Sequence, residues 1–221
     1  MKTKIHICLG PFKTGTSWLW ENLKQDSKYS TFYNIKEPFL WTVNLPPNRT
    51  TNHTRKEWFE FADKTEKILL DFSQGYDEIV KHPNNVKNLI SNYDVTFFVV
   101  LKNPIDLFVT GCNFTGNPVI TNTTNPNNVK NILDSFSPLQ YSHWLPVWLE
   151  KCNVICINFN KFNDPEYLNK KFDVNLKWDI PPVGASKFKF LIRSQWHIEL
   201  EQQMVEYFKS DIDYISKLQD E

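Results

Sequence analysis

One lysine and several hydroxyl side chains surround a glycine directly after the first apolar run of the chain. The stretch reads Gly10-Pro11-Phe12-Lys13-Thr14-Gly15-Thr16-Ser17-Trp18-Leu19. A glycine-containing loop between a strand and a helix lets main-chain N–H groups converge on an anion, and the helix dipole favours negative charge there. Lys13 adds a positive charge, and the hydroxyls add hydrogen-bond donors. The pattern therefore predicts an anion-binding loop; the alternative is a surface loop whose hydroxyls only cap the helix.

The order of residues in this loop differs from that of the nucleoside-triphosphate P-loop. The P-loop pattern G-x-x-x-x-G-K-[ST] has its lysine after the last glycine, whereas Lys13 precedes Gly15. The order Lys-Thr-Gly-Thr-Ser-Trp resembles the 5′-phosphosulfate-binding loop of sulfotransferases that use 3′-phosphoadenosine 5′-phosphosulfate (PAPS). This resemblance implies that Trp18 stacks on adenine; the alternative is a residue of the helix core. It also implies a donor-binding loop formed by Pro11, Phe12, Lys13, Thr14, Gly15, Thr16, Ser17 and Trp18.

A second segment, residues 98–110, resembles the 3′-phosphate segment of the same family. That family pattern is an apolar strand, then Arg-x-Pro, with a serine eight residues after the arginine. Here Lys102 stands at the arginine position and Thr110 at the serine position. A lysine offers a point charge where an arginine would offer a two-pronged contact. The resemblance implies that Lys102 and Thr110 hold the 3′-phosphate, with Ser186 and Lys187 before the last helix as further contacts. The alternative for Lys102 is a solvated lysine at the end of a strand.

Two carboxylates are candidate general bases. The segment 36–41 resembles the glutamate-containing segment of carbohydrate-type sulfotransferases, and there the resemblance implies that Glu37 accepts the proton of the attacking hydroxyl. The alternative is a surface glutamate paired with Lys36. Asp71, at the end of a later apolar run, is the second candidate. The residue after it is Phe72, where carbohydrate-type relatives have a lysine, so an anionic polysaccharide is a weaker expectation as acceptor.

The resemblance implies in-line transfer of a sulfuryl group from PAPS to a hydroxyl or amine, with release of 3′-phosphoadenosine 5′-phosphate (PAP). Lys13 would neutralise the charge that develops on the leaving oxygen, and no metal is expected. The acceptor is a small molecule or a carbohydrate, and the sequence does not identify it. Two other interpretations stay open: a P-loop-type kinase of nucleotides or small molecules, which would need ATP and magnesium, and a PAP-binding module that has lost catalysis.

Apolar runs that suit buried strands alternate with helical patterns along the chain. The runs cover residues 5–9, 67–72, 95–101 and 154–157, and the helical patterns cover residues 17–25, 76–92, 104–112, 139–151 and 196–218. Continuous apolar runs are typical of strands buried on both faces. The expected fold is α/β, a three-layer sandwich around a mainly parallel central sheet, similar to P-loop NTPases and sulfotransferases. A single domain is expected over residues 1–221, with loops at 44–54 and 115–138.

The composition of the chain excludes several functional classes. The 221 residues include 25 basic and 25 acidic side chains, and 41% are hydrophobic. A neutral chain with this apolar content is neither disordered nor a general nucleic-acid or membrane-surface binder. The four cysteines form no Cys-x-x-Cys pair and no zinc-like cluster. The first residues are too short and too polar for a secretory signal, so a cytoplasmic location is expected. The oligomeric state is not readable from these features.

Overall fold

The centre of the fold is a sheet of five parallel strands in the order β2-β3-β1-β4-β5. The computed structural model describes residues 2–11, 13–38, 54–73, 83–115, 140–181 and 198–219. The strands are β1 (Lys4–Gly10), β2 (Tyr29–Thr31), β3 (Ile68–Asp71), β4 (Asp94–Leu101) and β5 (Asn153–Asn158). Every pair in this sheet is parallel, and the central position of β1 brings the loop that follows it to the middle of one edge.

The described helices begin and end at residues whose local chemistry suits a helix boundary. They are α1 (Thr16–Leu23), α2 (Arg55–Lys64), α3 (Pro83–Asn92), α4 (Pro104–Thr115), α5 (Tyr141–Lys151), α6 (Pro165–Phe172), α7 (Ile198–Tyr207) and α8 (Lys209–Gln219). Pro104 and Pro165 occupy first helical positions, where a missing N–H costs nothing. The Thr54 side chain forms a capping box with Glu57 at the start of α2.

Helices cover both faces of the sheet, so the fold has three layers, as the sequence predicts. On one face, alternate side chains of β1 and β4 pack with α2, α3, α4, α5, α7 and α8, and the cluster includes Trp58 and Trp148. On the other face, the intervening side chains pack with α1 and α6. The alternation follows from the period of two along a strand. It explains why β1 and β4 are apolar at nearly every position.

The predicted elements agree with the structure in most places. The short strand β2 and the helix α2 were not predicted. The last helical segment is interrupted at Phe208, so α7 and α8 are separate helices. Residues 76–82 of the helix predicted over residues 76–92, and nearly all of both predicted loops, lie outside the described residues. Among the described helices, none combines the length and the apolar character that crossing a membrane requires.

Candidate functional site

The carboxyl ends of β1, β3 and β4 meet at one edge of the sheet because the strands are parallel neighbours. After β1 the chain moves to β2 and β3 on one side, and then crosses to β4 and β5 on the other. In open α/β sheets, ligands bind outside the carboxyl ends of the strands at such a reversal of direction. The loop after β1, Asp71 and Lys102 all lie at this edge.

The loop after β1 has a constrained backbone that leads directly into α1. Lys13 has φ 64°, a left-handed conformation that a non-glycine residue adopts at a cost of about 1–2 kcal/mol. The buried Thr14 hydroxyl donates to the carbonyl of Pro11 at 2.7 Å, which braces the turn. The N–H of Leu19 donates to the carbonyl of Gly15 at 3.1 Å, so the helical hydrogen bonds begin there. The first-turn N–H groups of α1 have no partner within the helix, and the first turn carries no acidic side chain.

Glycine is required at position 15 for two reasons. Its φ of 79° lies in the left-handed region. A Cβ atom there would also lie 2.7 Å from Cε2 of Phe162. The loop is therefore packed tightly against the segment that follows β5.

The Lys102 side chain joins the predicted 3′-phosphate residues to the loop. Its Nζ lies 2.9 Å from Oγ1 of Thr110 and 3.5 Å from the carbonyl oxygen of Lys13, and 4.7 Å above the ring centroid of Phe159. The Thr110 hydroxyl donates its own proton to the carbonyl of Asp106 at 2.6 Å, so it accepts from Lys102. Burial lowers the pKa of Lys102, and the nearby Asp106 carboxylate opposes that change.

The main chain of Lys102 is held separately by Tyr141 at the start of α5. The Lys102 N–H donates to the Tyr141 hydroxyl at 3.2 Å, and that hydroxyl donates to the carbonyl of Val100 at 3.0 Å. Tyr141 is fully buried, and burial raises the pKa of its hydroxyl. The Tyr141 hydroxyl thus forms hydrogen bonds with two main-chain groups at the carboxyl end of β4.

Glu37 lies beside the end of β3, where its carboxylate pairs with the ammonium of Lys36. The N–H of Phe72 donates to the carbonyl of Lys36 at 3.1 Å, which docks the segment 36–38 onto the strand end. Both paired side chains are less than one-fifth exposed, at 17% for Lys36 and 18% for Glu37. The interaction that the sequence offered as an alternative for Glu37 is therefore present.

Asp71 is fully buried, unlike Glu37. Its Oδ1 accepts hydrogen bonds from the N–H of Ser73 at 3.2 Å and from the Ser73 hydroxyl at 2.9 Å. The Phe72 side chain points into the core and packs on Phe98, with ring centroids 4.8 Å apart. Burial is the main cause that raises the pKa of the nearby Cys8 thiol to about 12, and the Glu37 and Asp71 carboxylates add to that rise.

Trp18 is half-buried in an aromatic cluster. Its ring stacks on Phe162 at a centroid distance of 5.3 Å and lies 5.5 Å from Trp178. Its Nε1 donates to the carbonyl of Ile180 at 2.6 Å. These contacts tie α1 to the chain that follows α6, and a role in stacking on adenine stays a prediction.

Three of the predicted contacts, Phe12, Ser186 and Lys187, lie outside the described residues. Sequence reasoning missed two residues that the structure brings to the site, Phe159 and Phe162. Both follow β5, and the signal that could have found them is an aromatic pair at the carboxyl end of a predicted parallel strand. Within the described ranges, no group of three or more histidine, cysteine or carboxylate side chains could hold a metal ion.

Comparison with known proteins identifies the architecture. Neither a model of a known protein family nor a curated protein matches the chain. Among solved structures, the chain is similar to a sulfotransferase from Alicyclobacillus acidocaldarius, with a TM-score of 0.63 over 99% of this chain and 96% of that chain. The chain has a sulfotransferase fold. The two sequences are 17% identical, so this similarity shows the fold and not the activity.

Proposed function

We propose that this chain is a sulfotransferase that moves a sulfuryl group from PAPS to a hydroxyl or amine acceptor and releases PAP. The observation that carries the proposal is the contact of Lys102 with both Thr110 and the Lys13 carbonyl. Two segments about ninety positions apart, each resembling a PAPS-binding element, meet at the edge of the sheet where ligands of α/β folds bind. A coincidental likeness in one loop would not require the second segment to lie against it.

Donor binding divides between the two elements. The N–H groups at the start of α1 and the Lys13 ammonium would hold the 5′-phosphosulfate, because a helix N-terminus favours negative charge. Lys102 and Thr110 would hold the 3′-phosphate, with Ser186 and Lys187 as further contacts. The Lys102 ammonium now donates hydrogen bonds to the Thr110 hydroxyl and the Lys13 carbonyl. In this assignment, it donates to the incoming phosphate instead.

The reaction is an in-line displacement at sulfur. An oxygen or nitrogen lone pair of the acceptor forms the new bond to sulfur, while the bond from sulfur to the 5′-phosphate oxygen breaks and PAP leaves with that electron pair. Lys13 stabilises the charge on the departing oxygen, and the acceptor proton passes to a carboxylate. Glu37 is the better candidate base, since it retains exposed surface whereas Asp71 is fully buried.

Two assays on the whole chain test the proposal, first nucleotide binding and then sulfuryl transfer. Calorimetry with PAP in the presence of EDTA tests the nucleotide site, and ATP with magnesium serves as the comparison. Labelled PAPS with a panel of sugars, phenols, alcohols and amines then tests transfer. Binding of PAP without magnesium, followed by labelling of one acceptor class, supports the proposal. Tight binding of ATP–magnesium with no affinity for PAP would refute it in favour of a kinase.

A PAP-binding module without transfer activity is the second candidate. It is favoured by the two carboxylates themselves, because Glu37 is paired with Lys36 and Asp71 is enclosed. This candidate predicts the same PAP affinity but no labelled product with any acceptor. The transfer assay therefore separates the two functions, whereas the binding assay does not.

A further inference from the structure

A short aromatic turn follows β5 and lies beneath the candidate nucleotide site. It consists of residues 159–162, a 3₁₀ turn with Phe159 at its start and Phe162 at its end. The two rings lie 5.0 Å apart and are both half-buried. Each ring contacts a different part of the site, and this division allows their roles to be separated.

Phe159 supports the cation of the second element. The Lys102 ammonium lies 4.7 Å from the centroid of its ring, within the range of a cation–π interaction. Its hydrogen-bond partners, the Thr110 hydroxyl and the Lys13 carbonyl, are also neutral, and the charged group that acts on it from nearby is the Asp106 carboxylate, which opposes the lowering of its pKa by burial. A ring face orients an ammonium without forming an ion pair with it, so the contact with Phe159 leaves the positive charge able to interact with an anion.

Phe162 supports the first element instead. Its ring lies against Gly15, where an added Cβ would come within 2.7 Å, and it stacks on Trp18. Phe159 reaches the same glycine less closely, at 3.6 Å from the position of that Cβ. The two phenylalanines therefore form a matched pair, one mainly at the lysine and one mainly at the loop.

We propose that Phe159 is a positioning residue that gives the site its preference for a nucleotide with a 3′-phosphate. Its ring holds the Lys102 ammonium between Thr110 and the loop, so that the ammonium meets the 3′-phosphate without first being ordered. The inference rests on the proposed function, because it assumes that PAP is the ligand. Phe159 itself need not contact the nucleotide.

The test compares the affinities of PAP and adenosine 5′-monophosphate, which lacks the 3′-phosphate, by calorimetry without magnesium. Phe159→Leu removes the ring face while keeping an apolar side chain, and Phe159→Met serves as a second ringless variant if the first does not fold. We expect the preference for PAP over the monophosphate to fall by about fivefold, the size of a partly desolvated cation–π contact. Phe159→Tyr keeps a ring and is expected to retain the wild-type preference.

Phe162→Leu is the matched control, because it removes a ring from the same turn but not from beneath Lys102. We expect it to change the two affinities in equal proportion. The inference is overturned if Phe159→Leu leaves the preference unchanged, or if Phe162→Leu lowers it equally. Failure of the wild-type chain to bind PAP would instead refute the proposed function. Equal wild-type affinities for the two nucleotides would overturn the preference alone.

Discussion

The left-handed backbone at Lys13 makes a paired prediction about stability and activity. Lys13→Gly and Lys13→Ala both remove the ammonium, but only glycine adopts φ 64° without strain. Relief of that strain is worth about 1–2 kcal/mol, and the greater freedom of glycine in the unfolded chain takes back roughly half. We therefore expect Lys13→Gly to exceed Lys13→Ala in free energy of unfolding by about 0.5–1 kcal/mol.

Both variants should lose sulfuryl transfer to the same extent. Removing one preorganised group that stabilises a developing negative charge costs about 10²–10³-fold in turnover. The loop carbonyl that faces Lys102 belongs to the main chain and is retained in both variants. The expected result is a more stable protein, relative to Lys13→Ala, with equally poor activity.

Urea unfolding and labelled-PAPS turnover measure the two quantities separately. In thermal unfolding, a difference of 1 kcal/mol corresponds to about 2–4 °C for a chain of this size. A Lys13→Ala variant as stable as Lys13→Gly would mean that the loop is not strained at this position. Wild-type turnover in either variant would refute the catalytic role of Lys13, whatever the stabilities.

Three other expectations follow from the same site and its surroundings. Gly15→Ala should lower the free energy of unfolding by about 2 kcal/mol, because it combines backbone strain with displacement of the Phe162 ring. An unchanged midpoint of urea unfolding would contradict this packing. Burial, with Lys28 nearby, lowers the pKa of His6 from 6.5 to about 4, so the native state resists protonation. Since the unfolded chain binds this proton first, stability should fall by about 3 kcal/mol between pH 7 and pH 4, and His6→Asn should remove that part of the pH dependence. Glu37→Gln should abolish the acidic limb of the pH–rate profile for transfer, and an unchanged profile would exclude Glu37 as the base.

Prediction of secondary structure succeeded where the apolar pattern was long and failed where it was short. The runs at β1 and β4 are nearly continuous in apolar residues, because each strand is covered by helices on both faces. Strand β2 has only three residues, too few to show a period. Helix α2 is rich in charge, and its clearest signal is the capping box of Thr54 and Glu57 rather than an apolar stripe.

The amino-acid sequence by itself predicted the α/β class and a glycine-containing loop between β1 and α1, and both depend on neighbours along the chain. The family resemblance, also carried by a short motif, implied that Lys102 and Thr110 act together. Only the tertiary structure decided which distant groups share the site. Three features of the site depend on strand order: the contact of Lys102 with the loop, the greater burial of Asp71 than of Glu37, and the contact of Lys102 with the Phe159 ring. Strand order depends on which distant segments pair in the sheet, and the local spacing of residues does not encode that choice.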